Sequence, residues 1–210
     1  MVAEVAPEQP LPPRYLPGEG EPFTIHHLLE MPGDKVRYEL FEGALLVSPW
    51  PAIKHQAIRD ELRLCLKNSA PRGGNVFTDV TVRLGSDVTA FVPDIVVIRP
   101  QVKLGDRGFL ETEDVLAVVE VVSPGSAGTD RRFKPTLHAG AGIPCFWLVE
   151  PQRFRGIQPG EQPPVVLVHE LDEESGSYRL AERLAGGAKG RITLPYPVEF
   201  DPAELLPQDG

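Results

Sequence analysis

The chain has 210 residues, 41% of them apolar, and a formal net charge of −9. This fits one soluble domain with a core of its own. No apolar run is long enough to span a membrane, no signal-peptide pattern opens the chain, and Cys65 and Cys145 stand at no metal-ligand spacing, so a cytoplasmic protein with buried thiols, no disulfide and no membrane partner is expected. The charge excludes a tight, salt-resistant grip on a polyanion, but it is unevenly spread. Residues 1–38 carry three basic and six acidic groups and 161–210 carry four and ten, which leaves 39–160 with fourteen of each sign. A weak or transient hold on nucleic acid remains compatible with that neutral centre.

Residues 1–22 are proline-rich, acidic and without apolar period, and read as a disordered or extended tail. Thr24 is placed to cap a short helix through about Met31, ended by Pro32-Gly33. Val36 to Val47 alternates and has Glu42-Gly43 at its middle, the pattern of strand, turn and strand; Glu39 and Glu42 read there as solvated hairpin charges. Ile53 to Asn68 is the clearest helix. Ile58, Leu62, Cys65 and Leu66 make one apolar stripe, with Arg59, Arg63 and Lys67 expected on the other side. His55 shares the stripe and reads, on residues alone, as a packed, hydrogen-bonded histidine. Asn75 to Leu84 alternates as one strand, and Gly85-Ser86-Asp87 turns it into the next, so a meander is expected.

Phe91 to Pro124 holds two short apolar runs rich in β-branched residues, the signature of strands buried on both faces. Each run carries one carboxylate, and an ionised carboxylate out of water costs several kcal/mol or more unless it is compensated. Asp94, after Pro93, reads either as a solvated turn residue or as a site residue. Glu120 shares a face with Val118 and Val122 in a run with no other charge; it reads as one half of a buried ion pair or, with Asp94, as a ligand of a shared divalent metal.

After Glu120 a small-residue loop leads to a helix over about Asp130 to Ala141, with Thr129 or Asp130 as its cap, and then to a buried strand from Gly142 to Val149. Strand, helix and strand form a crossover unit, which predicts that these two strands are parallel. Val165–Leu171, Tyr178–Leu184 and Ile192–Leu194 read as short strands of an appended antiparallel element.

These residues, in this order, resemble a known pattern. Pro93-Asp94 and Glu120 are similar to the first two elements of the PD-(D/E)XK nuclease superfamily. Tyr38-Glu39-Leu40, Glu42-Gly43, His55-Gln56, Val92-Pro93-Asp94, Glu120 to Pro124, Asp130 with Lys134, and Gly142-Ile143-Pro144 before Phe146-Trp147-Leu148-Val149 resemble the Uma family of bacterial proteins described as restriction endonucleases. The resemblance covers about Tyr38 to Pro151.

It implies an α/β (α+β) fold with a restriction-endonuclease-like mixed β-sheet flanked by helices. The expected domain spans 23–210, with a nuclease core at about 36–151 and a C-terminal β extension at about 163–206. It further implies a metal-dependent endonuclease acting on phosphodiester bonds of DNA, with a homodimer left open. Asp94, Glu120 and the backbone carbonyl of Val121 would hold Mg²⁺ or Mn²⁺, while Glu39 and His55 would support the centre. The superfamily lysine falls at Val122 in this chain, and Lys134 on the following helix takes its place. Pro135 beside Lys134, and His138 where the family has tyrosine, depart from the pattern. The alternative is a catalytically inactive nuclease fold serving as a binding or structural module.

Overall fold

The computed structural model describes residues 16–32 and 36–207. Residues 1–15 of the expected tail, and Gly33 of the first helix's stop, lie outside the described residues, and 16–22 hold no helix or strand. The elements in order are α1 (Ile25–Glu30), β1 (Val36–Phe41), β2 (Ala44–Pro49), α2 (Ile53–Ser69), β3 (Asn75–Thr78), β4 (Thr81–Ser86), β5 (Thr89–Phe91), β6 (Ile95–Ile98), β7 (Phe109–Glu111), β8 (Val115–Val121), α3 (Lys134–Gly140), β9 (Cys145–Glu150), β10 (Gln162–Asp172), β11 (Ser177–Gly186), β12 (Gly190–Ile192) and β13 (Val198–Phe200). Among the described residues no helix is long and apolar enough to cross a membrane. Both cysteines are free thiols.

Alternation makes β1 and β2 a hairpin. Its turn, Glu42-Gly43, has φ of 49° and 79°, the double left-handed geometry that a two-residue hairpin loop requires. Glycine is needed there twice over, because a Cβ at 43 would stand 2.5 Å from the Cβ of Pro22. The hairpin belongs to a five-stranded sheet of order β2-β1-β5-β4-β7. A second, six-stranded sheet runs β11-β10-β9-β8-β6-β3, and β12 and β13 form a separate pair. The larger sheet is mixed: β8 and β9 are parallel, as the crossover through α3 requires, and its other pairs are antiparallel.

Its two faces are covered differently. Ile58, Leu62 and Leu66 of α2, with Val198 and Phe200 of β13, pack on the face lined by Ala117, Val119 and Val121. Val82 and Phe91 of the smaller sheet, together with Ile143, close the face lined by Val118 and Val122. Full burial of side chains this size contributes about 1.5–3 kcal/mol each. The C-terminal strands continue the sheet itself, because β10 pairs antiparallel with β9 and β11 with β10.

Three expectations need correction. The single strand over Asn75–Leu84 is two strands in different sheets. β3 pairs with β6 and β4 with β5 and β7, and the chain changes sheet at Asp79, whose φ is 54°. Alternation survives such a break, and aspartate tolerates the left-handed conformation that makes it, so periodicity could not reveal it. Arg59 is not on the outer side of α2 but buried, drawn inward by a carboxylate described below. Asp130 does not cap a helix from outside: the chain is already helical at Ala127, passes through a π-helical turn at Thr129–Phe133, and carries Asp130 buried inside that turn. Pro135 therefore lies inside a continuous helical run, directly after the π-helical turn, and the run carries on to Gly140.

Candidate active site

Asp94 stands at the joint where β5 of one sheet ends and β6 of the other begins. The β6–β8 register pairs Ile95 with Val119 and Val96 with Val118. One step further, it sets Asp94 across from Glu120. The carboxylate of Asp94 closes that step itself, with Oδ2 accepting the backbone N–H of Val121 at 2.8 Å. His55 Nε2 lies 3.0 Å from the same oxygen, and the Arg37 guanidinium donates to Oδ1 at 3.1 and 3.2 Å. Burial by itself would raise the Asp94 pKa. The His55 hydrogen bond and charge, Arg37 and Lys134 reverse this and hold it at about 2.

Glu120 projects from β8 toward the face covered by the smaller sheet, as its alternation predicts. Lys134 reaches it from the junction of the π-helical turn and α3, with Nζ donating to Oε1 at 2.9 Å. The same ammonium lies 3.3 Å from Glu39 Oε1 and 3.7 Å from Asp130 Oδ1. Glu39 is therefore not a solvated hairpin charge: it is buried and also accepts the backbone N–H of Val92 at 3.1 Å. Burial drives the Glu120 carboxyl well above its ordinary range, with Lys134 opposing and Asp94, Asp130 and Glu39 adding to the rise. Asp130 is pushed up to about 6, by burial first, with Lys134 and Ser126 pulling it down. Burial would strip the Lys134 ammonium of its proton, but the surrounding carboxylates hold it charged. Three residues before Lys134, Arg131 forks onto buried Glu150 at 2.6 and 2.8 Å.

His55, on the first turn of α2, points into this cluster. Its Nε2 lies 2.8 Å from the carbonyl oxygen of Val121 as well as 3.0 Å from Asp94, which ties two of the proposed metal donors to one imidazole. Val122, at the superfamily lysine position, is a core residue packed with Val118 and Val165. His138 is fully buried between Phe91 and Phe146, with neither ring nitrogen partnered. Burial, and then Lys134, drive its pKa down to about 3.

The structure therefore brings Glu39, His55, Asp94, Glu120, Val121 and Lys134 to one place, together with Asp130. It also adds three residues that sequence reasoning missed. Arg37 contacts Asp94 and also donates to Asp79 Oδ1 at 2.8 Å; Arg59 donates to Asp79 Oδ2 at 2.8 Å. A signal for Arg37 existed. It lies two residues before Glu39 on β1 and so shares its face. Nothing local marks Asp79 as its partner.

The charge balance bears on the cofactor. Glu39, Asp94, Glu120 and Asp130 are four carboxylates against two cations, Arg37 and Lys134, while Asp79 and Arg59 offset each other. The carboxylates thus outnumber the permanent cations by two in a buried site, an excess that His55 lowers when it is protonated, and burial raises the Glu120 and Asp130 carboxyls above their ordinary range. Among the described residues no three His, Cys, Asp or Glu side chains are gathered as a metal cage. The donors at hand are all oxygen, from Asp94, Glu120 and the Val121 carbonyl. That set suits Mg²⁺ or Mn²⁺, which commonly take one or two carboxylates and otherwise water, and a divalent charge would balance the excess.

No curated protein matches the chain. Among solved structures it is similar to one described as "a putative nuclease belonging to DUF820" from Anabaena variabilis, at 20% identity, with 83% of this chain and 90% of that chain covered and a TM-score of 0.60. The two share a fold. A family model, Uma2, described as "Putative restriction endonuclease", matches residues 25–200 and so spans every residue of the cluster. The chain belongs to the Uma2 family.

Proposed function

We propose that this protein is a divalent-metal-dependent endonuclease that hydrolyses phosphodiester bonds in DNA. The observation that carries the reading is the buried cluster itself, in which four carboxylates from β1, the β5–β6 joint, β8 and the π-helical turn converge on two permanent cations, Arg37 and Lys134. Burial of that kind is costly and needs a compensating cation.

Asp94, Glu120 and the Val121 carbonyl would hold Mg²⁺ or Mn²⁺, which when bound supplies Lewis-acid activation of water and of the scissile phosphate. The remaining roles fall to the chain's own groups. Lys134, kept charged by its carboxylates, orients the attacking water and offsets charge developing on the phosphate. Glu39 holds Lys134 and the Val92 peptide in place. His55 fixes the Asp94 carboxylate and the Val121 carbonyl relative to each other. With a net charge of −9, DNA would be bound weakly and in a salt-sensitive way.

One observation favours the second reading, an inactive fold kept as a binding module: Asp94, Glu120 and the Val121 carbonyl already have protein partners in Arg37, His55 and Lys134. Nicking of supercoiled plasmid with Mn²⁺, wild type beside Asp94→Ala, separates the two. Metal-dependent nicking by the wild type that the variant lacks supports the enzyme, whereas equal, background nicking by both supports the module.

A further inference from the structure

Asp79 and Asp94 mark two points at which the chain passes between sheets. β3 lies in the six-stranded sheet and β4 in the five-stranded one; β5 lies in the five-stranded sheet and β6 in the six-stranded one. A single side chain grips both joints. Arg37, on β1, donates from Nη2 to Asp79 Oδ1 at 2.8 Å and from Nη1 and Nη2 to Asp94 Oδ1 at 3.1 and 3.2 Å, and its Nη1 also reaches the Val92 carbonyl at 3.3 Å. Asp79 is held in turn from α2, where Arg59 Nη1 donates to Oδ2 at 2.8 Å. Both Asp79 oxygens are thus engaged, which is the kind of over-determination that keeps a non-glycine residue at a φ of 54°.

We propose that Arg37, set by Asp79 and Arg59, is a positioning residue that fixes the orientation of the Asp94 carboxylate within the cluster. This rests on the nuclease reading above. With Oδ1 clamped by the guanidinium, the carboxylate has one orientation in which Oδ2 meets the Val121 N–H and His55. Without the clamp, a buried oxygen loses its donors and the group is free to turn. A planar fork suits the task, because its two Nη atoms reach Asp79 and Asp94 together, and one ammonium would not reproduce that geometry. Arg37 and Asp94 are 11% and 3% exposed at their side chains, so water would substitute poorly for the lost bonds.

Asp79→Asn tests the proposal, because Asp79 touches Arg37 but not Asp94. Partners that orient a metal's ligands are worth about 10–100-fold in metal affinity, so the Kd for Mn²⁺, measured by calorimetry, should rise by about that factor in Asp79→Asn. Arg37→Lys, which replaces the fork by one ammonium, should show a rise of the same order. In plasmid nicking, kcat should fall while KM for DNA is nearly kept. Glu111→Gln, which breaks the Arg83–Glu111 pair elsewhere in the smaller sheet, controls for loss of stability alone and should leave Mn²⁺ affinity unchanged. A crystal structure of Asp79→Asn should show the Asp94 carboxylate turned or displaced. Mn²⁺ affinity within twofold of wild type, or an Asp94 carboxylate still in place, would overturn the proposal. Should the wild type itself bind no Mn²⁺, the nuclease reading fails, and the crystal structure alone still decides whether Arg37 and Asp79 position Asp94.

Discussion

Replacing Lys134 by methionine keeps the apolar stem and removes only the charge. In the wild type Lys134 is 5% exposed, and its ammonium lies 2.9, 3.3 and 3.7 Å from Glu120, Glu39 and Asp130. Deleting one partner of a buried ion pair costs about 3–5 kcal/mol, because the other charge is left uncompensated. At roughly 2–4 °C per kcal/mol for a domain of this size, the melting temperature should fall by about 6–20 °C. The loss should depend on pH in a definite direction. Asp130 has a folded-state pKa of about 6 against 3.8 ordinarily. Between those values the folded protein keeps a proton that the unfolded chain has lost, so its contribution to stability declines as pH rises through that window. Removing Lys134 takes away the main force pulling both Asp130 and Glu120 down, so the protons are held to higher pH and the deficit of Lys134→Met grows from pH 5 to pH 8. Thermal and urea melts of both proteins at the two pH values measure this, and millimolar Mn²⁺ should recover part of the loss at pH 8. A variant melting within about 2 °C of wild type at pH 8, or a deficit equal at both pH values, would refute the account of Lys134 as the counter-charge of this cluster.

Two further outcomes follow from the same geometry. Glu120→Gln should fold, since a neutral amide removes a carboxylate that burial already disfavours, but it should lose the rise in melting temperature that Mn²⁺ gives the wild type; a ligand at 100 times its Kd is worth about 2.7 kcal/mol, and an undiminished rise would place the metal elsewhere. His138→Leu should raise stability by about 1–2 kcal/mol in urea denaturation, because a buried imidazole with neither nitrogen partnered carries an uncompensated desolvation cost, and a lower midpoint would show that its nitrogens have partners after all.

Much of the fold is local in origin, and the sequence determined it. Alternation fixes β1 and β2, continuous apolar runs fix β8 and β9, and the Glu42-Gly43 turn joins the first two because it takes the left-handed geometry their hairpin needs. A strand, a short helix and a strand within about 35 residues left β8 and β9 parallel. The alternating sides of a strand put Glu120 on the face of Val118 and Val122, and its burial marked it for a cation before any partner was in view. The tertiary structure alone decided which cation that is and what else shares it. Lys134 meets Glu39 as well as Glu120, Arg37 clamps Asp94 from 57 residues away, and Asp79 ends one strand and starts another in a different sheet. Hydrophobic period records which side of an element is buried. It holds no information on which distant charge a buried charge will meet, because that pairing is set by how the two sheets and α2 pack, and the left-handed turn at Asp79 that lets the chain change sheets leaves the alternation around it intact.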